Sequence, residues 1–75
     1  MPTLAEIGSL QIRFYPRDHL PPHFHISTPY GEAMMLIDDL SLYRGRLKRS
    51  DYRLVRDWAS ANRRLLEDEW AKFNG

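Results

Sequence analysis

His23-Phe24-His25-Ile26-Ser27-Thr28-Pro29-Tyr30-Gly31-Glu32-Ala33-Met34-Met35-Leu36-Ile37 is the stretch that decides the fold. From His23 to Ser27 the side chains alternate, which is the two-residue period of a strand. Phe24 and Ile26 are expected in the core, and His23 and His25 share the opposite face. Pro29-Tyr30-Gly31 has turn chemistry. Glu32 to Ile37 then reads as a second strand, apolar on both sides and so covered on both.

Working toward the N-terminus, Ser9 to Tyr15 alternates in the same way. Leu10, Ile12 and Phe14 lie on one side, Gln11, Arg13 and Tyr15 on the other, and Pro16 ends the run. Toward the C-terminus, Asp38-Asp39 breaks the apolar strand. Leu40 to Leu47, around Arg44-Gly45-Arg46, reads as a fourth short strand or a hairpin bent near Gly45. From Asp51 to about Phe73, Leu54, Val55, Trp58, Leu65, Leu66, Trp70 and Phe73 recur at helical steps, with Asn62 in the gap. Ser50 is the expected N-cap and Asn74-Gly75 the stop. A helix of that span would be about 34 Å long, leaving Trp70 and Phe73 beyond the sheet. The expected architecture is α+β: a small antiparallel sheet of three or four strands packed against one long C-terminal α-helix, as a single domain over residues 1–75.

Composition bounds what such a domain can be. With no cysteine, neither disulfides nor thiolate zinc sites can support the small core expected of 75 residues. The formal net charge of +1 is unlike that of a dedicated nucleic-acid binder. No apolar run approaches the ~20 residues of a membrane span, and Met1 to Glu6 lacks the features of an export signal, so a cytoplasmic location is expected.

Two features carry the candidate chemistry. The first is Asp18-His19-Leu20-Pro21-Pro22-His23-Phe24-His25, in which His19, His23 and His25 form an H-x3-H-x-H pattern. Neutral imidazole suits divalent transition metals, and two of the three histidines already share a strand face. The prolines stiffen the turn that carries the third. Three nitrogens and an open position would resemble a catalytic zinc site, with Asp38 or Asp39 as further donors by default. A plainer reading makes these residues solvent-facing or core-edge histidines bonded to the backbone. A metal-free acid/base role with Asp18 is a further alternative. No serine or cysteine stands in a nucleophile motif.

The second feature is local charge. Eight of the eleven basic residues, Arg44, Arg46, Lys48, Arg49, Arg53, Arg56, Arg63 and Arg64, lie between residues 44 and 64. Lys48, Arg49 and Arg53 crowd the expected helix start, where cations are disfavoured, so Arg44, Arg46, Lys48, Arg49, Arg53 and Arg56 form a candidate surface for an acidic protein segment or nucleic acid. Alternatively this is a solvated face, with Arg53–Asp57, Arg63–Glu67 and Arg64–Asp68 as i,i+4 pairs. Leu66, Trp70 and Phe73 offer an apolar patch through which a homodimer could form.

Taken in order, Met1-Pro2-Thr3, Phe14-Tyr15, Asp18-His19, Pro21-Pro22-His23-Phe24-His25, Gly31-Glu32-Ala33, Gly45-Arg46-Leu47 and Arg53-Leu54-Val55, with Trp58, Leu66 and Trp70, resemble the bacterial family catalogued as domain of unknown function 4160. The resemblance implies a small stand-alone protein, often encoded beside a second small protein in toxin–antitoxin-like pairs. It brings no established reaction or cofactor. Many relatives continue into a basic, proline-containing tail, whereas this sequence stops at Gly75. The leading expectation is a non-enzymatic interaction module with a small protein partner. The alternatives are a metal-dependent hydrolase or nuclease using the histidines, and a nucleic-acid-binding protein using the basic stretch.

Overall fold

The computed structural model describes residues 3–74. Five strands, β1 (Thr3–Ile7), β2 (Leu10–Arg13), β3 (His23–Thr28), β4 (Gly31–Leu36) and β5 (Leu42–Gly45), precede two helices, α1 (Arg49–Ala61) and α2 (Arg63–Asn74). The strands form one antiparallel sheet in chain order. The α+β class is as expected, but the sheet has five strands where three or four were expected, and the single long helix is two.

The additional strand is β1, whose Leu4, Ala5 and Ile7 are only partly buried against the core. Its pairing with β2 shifts register between Thr3 and Ala5, and this irregularity breaks the two-residue alternation by which a strand is read. The helix divides at Asn62. Its backbone N–H bonds to the Ala59 carbonyl, three residues back, while its side-chain Nδ2 donates to the Trp58 carbonyl at 2.8 Å. The side chain thus occupies the acceptor that a continuous helix would offer to the backbone N–H of Asn62. The Asn62 carbonyl then receives the Leu66 N–H and starts α2.

The bend returns α2 to the sheet. Trp70 and Phe73, expected to overhang, are partly buried, and Phe73 stacks on Phe14 with ring centroids 6.5 Å apart. Leu66, read with them as one apolar patch, is fully buried in the chain's own core. The start of α1 also differs from expectation. Lys48, not Ser50, is the N-cap and makes no side-chain capping bond; its N–H donates to the Tyr30 hydroxyl, which in turn donates to Asp51.

The core is Leu10, Ile12, Phe14, Phe24, Ile26, Ala33, Met35 and Ile37 from the sheet and adjoining loops, closed by Leu40, Val55, Ala59 and Leu66. Phe24 and Ile26 enter it as their alternation predicts. The opposite face of β3 is not open to solvent either. His23 is fully buried and His25 is 6% exposed. Among the described residues, no helix is long and apolar enough to cross a membrane.

Candidate histidine and aspartate centre

Residues 14–22 lead from β2 back over the histidine face of β3, and α2 holds this segment in place. The Arg17 N–H donates to the Phe73 carbonyl at 3.4 Å, and the Asp18 N–H donates to Asn74 Oδ1 at 2.6 Å. Asn74, expected only to stop the helix, therefore also positions Asp18. The Leu20–Pro21 peptide is cis.

Asp18 then faces His23 and His25. Its Oδ2 lies 2.6 Å from His25 Nε2 and 3.0 Å from His23 Nε2. One donor atom from each of the three residues falls within 4.8 Å of the other two. Tyr15 covers His25 in an edge contact at 4.3 Å between centroids, and Trp70 lies 5.4 Å from the His23 ring. Burial acts to raise the Asp18 carboxyl pKa. The His25 hydrogen bond, the His19 backbone N–H, and the charges of His23 and His25 together outweigh burial and hold the carboxyl below its ordinary value.

The hydrogen bonds assign the imidazole nitrogens. His23 Nδ1 is 2.7 Å from the Pro21 carbonyl, which can only accept, so Nδ1 carries a proton and donates. In the neutral ring this leaves the lone pair on Nε2, beside a carboxylate oxygen. Nε2 nevertheless has no hydrogen-bond partner, although it is completely buried. Asp18 Oδ2 is within reach at 3.0 Å, yet the two atoms do not form a hydrogen bond. His25 donates from Nε2 to Asp18, and its Nδ1, 3.8 Å from Glu32 Oε1, also lacks a hydrogen-bond partner. Buried polar atoms left in this state cost free energy comparable to a lost hydrogen bond.

His23 and His25 were expected as ligands and do come together. Asp18, noted in the sequence only as their neighbour or acid/base partner, supplies the third donor. Its signal was its place at the head of the histidine string, seven residues before His25, across a proline turn. His19 stands beside the group, half exposed, with Nε2 3.7 Å from Asp18 Oδ1 and its ring stacked on His23. Asp38 and Asp39 are not part of this group; Asp39 instead accepts two hydrogen bonds from Ser41.

The family described as Domain of unknown function (DUF4160) matches residues 10–71, a span that contains the whole centre. The chain belongs to this family. No curated protein and no solved structure matches the chain.

The basic surface of this DUF4160 protein is separate from the centre. Arg44 lies on β5, Arg46 follows it, Lys48 caps α1, and Arg49, Arg53 and Arg56 lie along α1. All six are exposed. Of the three expected i,i+4 pairs, Arg64–Asp68 forms at 3.7 Å. Arg63 turns instead to the carbonyls of Ile37 and Asp38, at 2.6 and 2.7 Å, and ties α2 to the end of β4.

Proposed function

We propose that this DUF4160 protein binds one divalent transition-metal ion through Asp18 Oδ2, His23 Nε2 and His25 Nε2, with the proton that His25 Nε2 holds toward Asp18 moving to Nδ1, on the side of Glu32. The observation that carries the reading is the fully buried His23 Nε2, which has no hydrogen-bond partner and a carboxylate oxygen 3.0 Å away; in the neutral ring this atom holds the lone pair that a cation would take. A cation bonded to both atoms removes the mismatch. The Nδ1–H to Pro21 carbonyl bond is the outer-shell contact that commonly orients a ligating histidine.

Size supports the same reading. Tetrahedral bonds of about 2.0–2.1 Å place donor atoms about 3.3 Å apart. The His23–Asp18 separation is already close to that, and the His25–Asp18 pair at 2.6 Å needs to open by a fraction of an ångström. Two imidazoles and one carboxylate suit zinc, and also iron or nickel. Competition titration of zinc against a chromophoric chelator tests the proposal. Wild type is expected to take one equivalent, while Asp18→Asn, His23→Ala and His25→Ala each weaken binding by about 100-fold or more. Retention of wild-type affinity by all three variants would refute it.

A second reading, an interaction with an acidic protein, is supported by the basic surface. Arg44, Arg46, Lys48, Arg49 and Arg53 have no carboxylate within ion-pair distance among the described residues. Leu42, Tyr43 and Leu54 are exposed on the same elements. Apolar side chains set among cations suit a protein surface better than a phosphate backbone. A small acidic protein is the partner class we infer. Co-purification that survives in wild type and fails in an Arg49→Glu, Arg53→Glu double variant would support it. Binding of random duplex DNA with steep salt dependence would favour nucleic acid instead.

A further inference from the structure

Building on the three-residue metal reading, we infer that His19 is a fourth ligand that closes the site, making it a structural centre and not a catalytic one. The two neighbouring histidines are wired alike. His19 Nδ1 lies 3.3 Å from the Leu20 carbonyl, and His23 Nδ1 lies 2.7 Å from the next carbonyl, that of Pro21. A carbonyl accepts only, so each ring carries its proton on Nδ1 and keeps its lone pair on Nε2.

Both lone pairs are presented to one carboxylate. His19 Nε2 is 3.7 Å from Asp18 Oδ1, and His23 Nε2 is 3.0 Å from Oδ2. The rings lie nearly parallel, 25° apart with centroids separated by 4.8 Å. With His25 Nε2 at 2.6 Å, three imidazoles are arranged around Asp18. The other nearby acid, Glu32, stands behind His25 at its Nδ1 and is an outer partner.

The two classes of histidine differ in freedom. His23 and His25 are fixed by burial, whereas the His19 side chain is half exposed. His19 lies outside the group whose donor atoms fall within 4.8 Å of one another, so its ring must move to reach an ion held by Asp18, His23 and His25. Its half-exposed position leaves it free to do so at the cost of the long Nδ1 contact to the Leu20 carbonyl. The resulting His3Asp set is a complete tetrahedron with no place for the bound water that hydrolysis requires. The ion would instead join the 16–22 loop, which also holds the end of α2 through Phe73 and Asn74, to β3.

Cobalt(II) substitution reads the coordination number, because four-coordinate tetrahedral cobalt absorbs far more strongly in the visible than five- or six-coordinate cobalt. Wild type is expected to show the intense spectrum. His19→Ala, at an exposed position, is expected to stay folded, keep the metal about 10–100-fold more weakly, and lose most of that absorbance. In a second measurement that needs no variant, zinc added to ring-15N-labelled wild type should move His19 Nε2 to a metal-bound shift together with those of His23 and His25. An unchanged cobalt spectrum and affinity in His19→Ala, with the His19 ring resonance unmoved by zinc, would overturn the fourth ligand while leaving the three-residue site standing. Failure of wild type to take up cobalt or zinc would overturn both.

Discussion

Single residues at turns hold this small sheet in register, and Gly45 is the most constrained. It ends β5 with φ +81°, and a Cβ there would collide with the Glu32 carbonyl and the Ala33 backbone on β4. Gly45→Ala should cost at least about 1–2 kcal/mol from the left-handed backbone alone, with the collision added, as read by chemical denaturation. At the next turn back, Asp39 accepts from both the Ser41 hydroxyl and the Ser41 N–H. These two bonds, the hydroxyl first, lower its carboxyl pKa. A carboxyl lowered on folding stabilises the fold above its unfolded pKa and loses that contribution as pH falls through the folded one. Ser41→Ala should therefore move the Asp39 titration toward its ordinary value, and an unmoved NMR titration curve would argue against the hydroxyl as the main cause. The turn residues Pro29-Tyr30-Gly31 and Gly45 were legible in the sequence because their backbone demands are local. The role of the Tyr30 hydroxyl at the start of α1 was not, because Lys48 lies 18 residues away.

At the scale of elements, β2 and β3 were readable because each alternates with a two-residue period, and β4 because it is a short continuous apolar run between a turn and Asp38-Asp39. The register of β3 with β4, His23 opposite Leu36 and Thr28 opposite Gly31, follows from the short turn between them. β1 was missed because its register shift breaks the alternation, and the helix break was missed because Asn62 occurs at a position where periodicity alone reads only a gap in the apolar face. The break has a specific cause and a test. Asn62→Ala removes the bond to the Trp58 carbonyl and frees that acceptor for a continuous helix. We expect a loss of about 1 kcal/mol and a red-shifted tryptophan emission as Trp70 leaves the sheet. Unchanged stability and emission would show that the bend does not depend on Asn62.

At the scale of the whole molecule, sequence reading recognised that His23 and His25 share a strand face but not that this face is buried. Covering it takes Tyr15 and Asp18 from the segment that follows β2, and Trp70 from α2 more than fifty residues further along the chain. Long-range assembly of this kind has no local signature. The same assembly makes the fold sensitive to metal, because the proposed ion joins that segment to β3 in a chain with a small core. Zinc at about a hundred times its dissociation constant should stabilise the fold by about 2.7 kcal/mol. In a domain of this size that is a rise of about 10 °C or more in melting temperature. Asp18→Asn should abolish the rise.

The central claim is that Asp18, His23 and His25 hold a transition-metal ion, and elemental analysis of protein purified without an affinity tag, after dialysis against zinc and removal of free ion, tests it most directly. About one zinc per chain in wild type, lost in His23→Ala, is the predicted result. Zinc at background level in folded wild type would contradict it.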